Sequence, residues 1–317
     1  MSVADPSQCS QWFKDHAARL TGQLSFDEPL SKHTYYRIGG PASVFAVPRS
    51  LQDLQWLSEG IRATGIPVFV LGSGSNLLVS DEGFAGLVVR AGRLDLGIDP
   101  IGASGDLGQP LRIRTGGSVA VSTLLRRAAH DGWAGLELLT GIPGSIGGVV
   151  TMNAGTHLGE AKDRLRRVEA FDLLQSSTRV FDSTEFKYEY RKNHFLPQGS
   201  IVMSAEWEVR LEEPALVKAR IDETLLRRKT TQPLDYPSCG SVFKNPHSHG
   251  LSAWQVVDRL GLRGHRIGGA QFAQKHSNFI VNLGDASASD VKALIALAKE
   301  RALKELGVLL EEEVMVL

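Results

Sequence analysis

Two glycine-rich stretches could bring backbone N–H groups close to a bound phosphate. The first is LGSGSNLL at 71–78, which follows the apolar, strand-like segment 68–71. The second is TGIPGSIGG at 140–148, which contains four glycines. Glycine permits a positive φ and a close approach of the backbone to another group, and successive backbone N–H groups form concave anion sites. The two loops together therefore predict a site for a phosphate or pyrophosphate, as in a nucleotide cofactor.

Each loop also has a purely structural interpretation. The first lacks the Rossmann fingerprint, because Leu77 stands where the third glycine is expected and a strand-like segment follows instead of a helix. A hairpin turn of Gly, Ser and Asn is its alternative. The second loop is not expected inside a helix, since each glycine would cost about 1 kcal/mol there. The second loop has no charged side chain, so its backbone could pack against a flat apolar group such as a flavin ring. A purely structural loop is the alternative.

The segment 232–246 contains a serine that could move a proton. Ser241 follows Gly240, and a buried serine can donate a proton where neighbours stabilise the alkoxide. Lys244 could supply that charge or hold a phosphate. The alternative is a Pro/Ser/Gly turn with an exposed lysine. Cys239 is expected to be buried and inert, because no basic pair flanks it closely.

Two further stretches hold charged side chains suited to a carboxylate substrate. Arg191, within EYRKNH at 189–194, could pair with a carboxylate through two hydrogen bonds, and a surface charge run is the alternative. The C-terminal tail 309–317 carries three glutamates in an apolar, strand-like run. On a strand Glu311 and Glu313 share one face and Glu312 the other, so one carboxylate could point into a site. A solvated edge strand is the alternative.

The elements that must position these groups alternate between helical and strand patterns. Capping patterns at Ser50/Asp53 and Ser287/Asp290 predict helix starts, and Gly307 predicts a helix end. Helices are predicted after 50, at 119–129, 214–228 and 253–260, and after 287. Strands are predicted at 43–47, 68–71, 77–79, 86–90, 111–115, 168–172, 177–181, 201–209 and 278–282. This order predicts an α+β protein with a separate C-terminal unit.

Composition excludes several classes of function. The 317 residues allow about two domains. The 35 basic and 35 acidic residues balance, so bulk charge predicts neither a nucleic-acid nor a membrane surface. The two cysteines exclude a disulfide framework and a four-cysteine zinc site, and no metal site is expected. The N-terminus lacks a signal-peptide pattern, and no apolar run reaches the ~18–20 residues of a membrane span. A cytoplasmic protein is expected.

The motifs, taken in order, match one family. They are Thr34 with RIGGPA at 37–42, LGSGSNLL at 71–78, GLELLTGIPGSIGG at 135–148, NAG at 153–155, Tyr190-Arg191, the segment 232–246, the segment 268–279, and the segment 307–314. In this order and spacing the chain resembles the UDP-N-acetylenolpyruvoylglucosamine reductases, the MurB-type flavoenzymes of peptidoglycan synthesis, over nearly all residues past about 30. The short connection after Arg191 resembles the shorter of two subtypes.

The resemblance implies an α+β fold with a two-part FAD-binding region of the vanillyl-alcohol-oxidase type and a C-terminal α+β substrate domain. The implied divisions are an extension at 1–30, FAD-binding subdomains at 31–90 and 91–212, and a substrate domain at 213–317. FAD would be bound non-covalently. The implied cofactor contacts are Arg37, Gly72, Ser73, Gly74, Ser75, Asn76, Leu77, Gly141, Ile142, Pro143, Gly144, Ser145, Gly147 and Gly148.

The resemblance also implies the chemistry. NADPH would reduce FAD, and a hydride from flavin N5 would then reach the vinyl carbon of UDP-N-acetylglucosamine enolpyruvate to give UDP-N-acetylmuramate. Arg191 would stabilise the developing enolate-like charge, Glu313 would assist polarisation, and Ser241 would donate the proton. The implied substrate contacts are Tyr190, Lys244, Asn245, Gln271 and His276. We expect a monomer whose partners are this UDP-sugar and NADPH, with no nucleic acid and no membrane.

Three positions depart from the family pattern, and two rival functions stay open. The departures are Asn193, Val149 and Ala273, which put secondary contacts in doubt. One rival is another flavoenzyme of the same fold, such as an oxidase that tethers its flavin to a histidine; His157 is the nearby candidate. The other is a non-catalytic nucleotide-binding regulator, against which the retained Arg191, Ser241 and Glu313 argue.

Overall fold

A computed structural model describes residues 6–102, 106–246 and 250–317. The chain forms two compact units. The first comprises the described residues of 1–27, 43–73 and 85–226, and the second comprises those of 28–42, 74–84 and 227–317. The polypeptide thus passes from one unit to the other several times. The sequence predicts an N-terminal extension followed by three consecutive domains. That division does not correspond to these two units one for one, and it stays a prediction.

The helices lie where the periodicity and caps predict most of them. In the described residues they are α1 (Pro6–Asp15), α2 (Leu51–Thr64), α3 (Val121–Asp131), α4 (Ile146–Thr151), α5 (Pro214–Thr231), α6 (Ala253–Arg259) and α7 (Ala288–Leu306). Ser287 and Asp290 form the predicted capping box of α7, and Gly307 ends it in the left-handed conformation. Such caps satisfy N–H and C=O groups that a helix end leaves unpaired.

The strands are short except for those of one large sheet. They are β1 (Gln23–Pro29), β2 (Pro41–Val47), β3 (Val68–Leu71), β4 (Leu77–Leu78), β5 (Phe84–Arg90), β6 (Ile98–Ile101), β7 (Pro110–Gly116), β8 (Trp133–Ala134), β9 (Gly155–Thr156), β10 (Gly159–Glu160), β11 (Leu165–Asp172), β12 (Ser177–Asp182), β13 (Tyr188–Glu189), β14 (Lys192–Asn193), β15 (Ser200–Leu211), β16 (Arg266–Ile267), β17 (Ala270–Phe272), β18 (Ile280–Asn282) and β19 (Met315–Val316). Each strand predicted from the sequence has a counterpart here, although the segment 278–282 is a strand only from Ile280.

The first unit is built around two sheets. One has the order β1-β2-β5-β3, and the other has the order β12-β11-β15-β7-β6, with β8 also paired to β15. The long strand β15 pairs antiparallel with both β11 and β7. Trp207 of β15 is fully buried, and its indole N–H donates to the Thr115 hydroxyl of β7 at 2.9 Å. Burial of aromatic and aliphatic side chains along this strand supplies the main driving force for the large sheet.

The second unit packs α6 and α7 with the antiparallel sheet β16-β17-β18. Its apolar core also includes Tyr36, Ile38 and Leu78 from the two earlier segments of the chain. The Asn282 amide donates to the Tyr36 carbonyl at 2.8 Å. Asp81 accepts from the backbone N–H groups of Ala288 and Ser289 at the start of α7. Polar as well as apolar contacts therefore hold the early segments in this unit.

Two local predictions were wrong in part. Ser50 caps α2 as expected, but the Asp53 carboxylate accepts from Thr21 and from the Arg49 backbone instead of returning to the cap residue. The second glycine loop was expected to exclude helix, yet residues 146–151 form α4. Gly147 and Gly148 lie in its first turn, where the cost of glycine is offset by tertiary hydrogen bonds such as Gly147 N to Gly117 O at 2.8 Å.

Candidate active site

In the first unit the start of the first glycine loop lies beside the second loop. A Cβ added to Gly72 would lie 3.4 Å from Ser145 Oγ, an ordinary van der Waals distance, so the two loops are close neighbours at this point. Ser145 in turn caps α4 by accepting from Gly148 N at 3.4 Å. The second loop is anchored to the turn after β7, because Ile146 N donates to Val119 O at 2.9 Å. The first unit therefore brings bare backbone from two distant segments side by side.

The composition of this cradle fits a nucleotide cofactor. Hydroxyl groups of Ser73 and Ser145 flank backbone that carries no side chain at Gly72. The Thr140 hydroxyl, at the start of the second loop, is fully buried and has no hydrogen-bond partner among the described residues. A buried polar group without a partner is costly, and a polar ligand atom would remove that cost. Donors of this kind suit phosphate oxygens and ring heteroatoms.

The predicted cofactor residues are mostly accessible to a ligand. Gly74 and Leu77 are buried, Arg37 and Pro143 are exposed, and the others are partly exposed: Gly72, Ser73, Ser75, Asn76, Gly141, Ile142, Gly144, Ser145, Gly147 and Gly148. The first loop is shared between the units, since residues from 74 onward belong to the second. There Asn76 donates its amide to Glu313 O at 3.0 Å, and Leu77 pairs with Met315. The second unit thus joins the end of the first loop to the C-terminal tail.

Arg191 occupies a two-residue turn between β13 and β14 of the first unit. Its φ is +60°, a left-handed conformation that is uncommon for residues other than glycine. The guanidinium donates to Asn153 O at 3.4 Å and to Gly155 O at 3.2 Å, and it lies 4.7 Å from the Tyr190 ring centroid. Only 15% of the side chain is exposed. The surface-charge alternative for Arg191 is therefore wrong, because the group is held and largely buried.

Ser241 and Glu313 lie on adjacent backbone segments of the second unit. Glu313 N donates to Val242 O at 2.8 Å, directly after Ser241. The side chain of Asn278 holds the backbone of Phe243 through two hydrogen bonds. Phe243 N donates to the Asn278 side-chain oxygen at 3.0 Å, and the Asn278 amide donates to Phe243 O at 2.9 Å. The backbone directly after Ser241 is therefore fixed, and the serine itself is partly exposed. The meeting of Arg191 with these two residues stays a prediction.

The predicted substrate residues have different surroundings. Lys244 Nζ lies 3.4 Å from Glu311 Oε2, so its charge is partly balanced. Asn245 accepts from Ala253 N at 3.0 Å, which fixes the start of α6. Gln271 donates to Gly264 O at 2.9 Å. His276 is half-buried with Nδ1 unpartnered in the described part of the chain, and burial, aided by nearby Arg263, lowers its pKa. Among these, His276 keeps the clearest unused polar atom.

Only part of the C-terminal tail forms a strand. The predicted tail strand is reduced to β19 and an isolated bridge between Phe243 and Glu312, whose carboxylate pairs with Lys299 at 2.7 Å.

The Cys239 thiol is buried and donates to Leu77 O at 3.1 Å. Burial raises its pKa to about 12. The expectation that Cys239 is buried is confirmed, and its lack of reactivity stays a prediction.

Two residues with direct roles in this geometry were not among the predicted site residues, although Asn278 lies in the matched segment 268–279. Asn278 fixes the segment after Ser241, and Glu160 lies 3.7 Å from the Arg191 guanidinium. Glu160 sits in an ordinary-looking hairpin, and its only sequence signal is the Gly-Glu pair shortly after NAG at 153–155. The departure at Asn193 also has a structural use, since its amide donates to Thr151 O at 2.7 Å. Val149 and Ala273 are both buried.

The comparisons with known proteins first define a class. A family model described as an FAD binding domain matches residues 42–175. That range contains both glycine loops and the strands β6, β7 and β11 of the large sheet, so the class is that of FAD-binding flavoproteins. A second model, described as the C-terminal domain of UDP-N-acetylenolpyruvoylglucosamine reductase, matches residues 232–317. This range contains Ser241 and Glu313.

The relatives then define the family. The chain is 40% identical over 298 residues to the UDP-N-acetylenolpyruvoylglucosamine reductase of Heliobacterium modesticaldum, covering 93% of this chain and 91% of the relative. It is 37% identical over 294 residues to that of Lactococcus lactis subsp. cremoris, covering 93% and 94%. The solved structure of the Thermus caldophilus reductase matches with a TM-score of 0.75 at 36% identity, covering 94% and 99%. The chain belongs to the UDP-N-acetylenolpyruvoylglucosamine reductase family, and the predicted fold class is confirmed.

The described residues lack two kinds of feature. None of the helices in 6–102, 106–246 and 250–317 is both long and apolar enough to span a bilayer. In the same ranges, His, Cys, Asp and Glu side chains form no group of three or more that could hold a metal ion.

Proposed function

We propose that this chain reduces UDP-N-acetylglucosamine enolpyruvate to UDP-N-acetylmuramate, with FAD as cofactor and NADPH as hydride donor, in peptidoglycan synthesis. The observation that carries the proposal is the Glu313 N to Val242 O hydrogen bond at 2.8 Å, which joins the backbone of Glu313 to the residue after Ser241. It supports the proposal because a hydroxyl group and a carboxylate that come from distant segments lie on adjacent backbone in a chain of this family.

The glycine loops would hold the cofactor, with Ser73 and Ser145 at its phosphates and the backbone of 140–148 against its ring system. FAD, when bound, accepts a hydride from NADPH and delivers one to the vinyl carbon of the sugar nucleotide. The chain's own contribution is to place these partners and to exclude water from the ring. The cradle contains no side chain at Gly72 that would block it. FAD would be held without a covalent bond.

Three side chains would then handle charge and the proton. Hydride addition to the vinyl carbon places negative charge on the neighbouring carbon and its carboxylate. Arg191 would stabilise that charge, and Glu313 would assist polarisation. Ser241 Oγ would donate the proton to the carbon. Serine is a weak acid, so the Asn278 hydrogen bonds that hold the backbone of Phe243, two residues after Ser241, support the assignment.

The remaining polar groups would recognise the substrate. Lys244 is suited to a phosphate of the UDP group, since lysine binds phosphates as a point charge. Tyr190, Asn245, Gln271 and His276 would complete the contacts. The proposal includes a monomeric enzyme, no nucleic-acid partner, no membrane partner and a location in the cytoplasm.

The test separates the two half-reactions under anaerobic conditions. We expect the purified chain to be yellow, to be bleached by NADPH, and to regain its colour on addition of the enolpyruvyl sugar nucleotide. Ser241→Ala should leave bleaching nearly unchanged and slow the return of colour by roughly 10²–10⁴-fold, the usual range for loss of a general acid. Ser238→Ala, in the same segment and likewise partly exposed, is the matched control and should behave as the unchanged chain.

Other outcomes discriminate the rival functions. Equal loss of both half-reactions in Ser241→Ala would contradict the proton-donor role. Flavin that remains attached to the chain after denaturation would favour an oxidase with a tethered cofactor, for which His157 is the candidate. A chain that binds flavin but is bleached by no reduced nicotinamide would favour a non-catalytic regulator.

A further inference from the structure

The Arg191 side chain belongs to a polar network that centres on Glu160. Arg191 Nη1 lies 3.7 Å from Glu160 Oε1. The other carboxylate oxygen, Oε2, accepts from Asn153 Nδ2 at 2.8 Å and pairs with Lys162 Nζ at 2.9 Å. Asn153 is fully buried. One carboxylate therefore joins three nitrogen donors, and one of these is the proposed stabiliser of substrate charge.

The hairpin β9–β10 brings the parts of this network to one place. Glu160 is the direct cross-strand partner of Gly155, and Gly155 O accepts from Arg191 Nη2 at 3.2 Å. A Cβ on Gly155 would lie 2.1 Å from Gly159 O, so only glycine allows this close pairing. The guanidinium thus meets a carbonyl and a carboxylate from opposite strands of the same hairpin.

The backbone conformation supports the same assignment. Asn153 and Arg191 both have positive φ, at +43° and +60°, which non-glycine residues adopt only where surrounding contacts hold them. The Asn153 side chain also accepts from Lys162 N at 3.1 Å, and its carbonyl accepts from Arg191 at 3.4 Å. Two strained residues are therefore connected to each other and to Glu160.

We propose that Glu160 is a positioning residue for Arg191 in the reduction of the sugar nucleotide. This inference rests on the proposed function. Glu160 holds the guanidinium in place before substrate arrives, so that no reorganisation is needed when negative charge develops. The carboxylate acts through Arg191 and takes no part in the transfer of hydride or proton.

The donors around Glu160 make glutamine an informative replacement. Arg191, Asn153 and Lys162 all present N–H groups to the two carboxylate oxygens. An amide has one oxygen and one NH2 group, so Glu160→Gln places a donor against a donor and also removes the negative charge. Glu160→Asp keeps both oxygens and the charge, and it should restore part of the function. Glu189→Gln is the matched control, because the Glu189 side chain is exposed in the hairpin β13–β14 and forms an ion pair with His194 at 3.2 Å.

The kinetic test uses the flavin-loaded variants. In Glu160→Gln we expect flavin content and bleaching by NADPH to change less than about 2-fold. Reoxidation by the sugar nucleotide should slow by roughly 10–100-fold in its limiting rate, as when a supporting interaction with a functional group is lost. Glu160→Asp should be intermediate, and Glu189→Gln should match the unchanged chain. Reoxidation that is unchanged or faster in Glu160→Gln would overturn the proposal, because Glu160 would then only weaken the charge of Arg191.

A second readout does not depend on catalysis. Phenylglyoxal modifies accessible guanidinium groups, and mass spectrometry of peptides measures modification of Arg191 alone. We expect Glu160→Gln to raise the rate of modification at Arg191 several-fold, with no change in Glu189→Gln. An unchanged rate would overturn the anchoring role. If anchoring is observed but the unchanged chain fails to react with the sugar nucleotide, the proposed function fails and the anchoring of Arg191 stands.

Discussion

Gly74 provides a quantitative test of how closely the end of the first glycine loop packs against His33 and Thr34 within the second unit. Its φ is +71°, and an added Cβ would lie 2.1 Å from His33 O and 3.0 Å from Thr34 Cα. Both atoms belong to the backbone and cannot rotate away. Gly307 has nearly the same φ, +66°, but its added Cβ would have no neighbour within 4 Å. Both glycines belong to the second unit.

The comparison separates two energetic costs. Alanine in the left-handed conformation costs about 1–2 kcal/mol at either position. At Gly74 the clash also forces a backbone displacement, which typically adds about 1–3 kcal/mol. We therefore expect Gly307→Ala to destabilise by about 1–2 kcal/mol and Gly74→Ala by about 2–5 kcal/mol. At roughly 3 °C per kcal/mol, the melting temperature of Gly74→Ala should lie several degrees below that of Gly307→Ala.

Thermal unfolding followed by circular dichroism measures this difference, and the flavin content of each purified variant gives a second measure. Gly74→Ala should also lose flavin, because Gly74 O accepts from Tyr35 N at 3.0 Å and the loop must shift when the Cβ is added. Gly307→Ala should keep its flavin. Equal melting temperatures for the two variants would refute the reasoning, since the clash with His33 O is the only difference on which it depends.

Two further predictions concern titration and reactivity. Burial lowers the pKa of His276, so below about pH 6.5 the unfolded chain binds more protons than the folded chain. The free energy of unfolding should therefore fall as the pH is lowered through this value. In His276→Asn, urea titrations across the same pH range should show a smaller fall. An equal fall in the free energy of unfolding of both proteins would contradict the prediction. Cys9 and Cys239 are both buried, and the pKa of Cys239 is raised to about 12. Ellman's reagent at pH 8 should therefore react with neither thiol until urea unfolds the chain, and rapid reaction of the native protein would contradict the burial of at least one of them.

Local patterns predicted the elements that depend on neighbours in sequence. Ser287, Asp290 and Gly307 identify both ends of α7 because helix caps are made by residues within one turn of the helix end. The alternating strand 201–209 corresponds to β15 because side chains on a half-buried strand point to opposite faces. Motif order likewise indicated the family, since the spacing of many short segments is more specific than any one of them.

Contacts between distant segments were not predictable in the same way. Asp53 was expected to complete a capping box, but its carboxylate accepts from Thr21, which is 32 residues away. The glycine-rich residues 146–151 form a helix because hydrogen bonds to Gly117 and Val119 hold them. Glu160 has no motif of its own, and its role follows only from the hairpin that places it near Arg191.

The amino-acid sequence alone determined the α+β class, the caps, most strands and the residue types that can bind phosphate, carry positive charge or donate a proton. Those properties depend on local backbone preference and on side-chain chemistry, which each residue brings with it. The tertiary structure decided that Gly72 lies against Ser145, that Glu313 lies against the residue after Ser241, and that Glu160 holds Arg191. Such pairings depend on how sheets and hairpins bring together segments far apart in the chain, and no local preference specifies them.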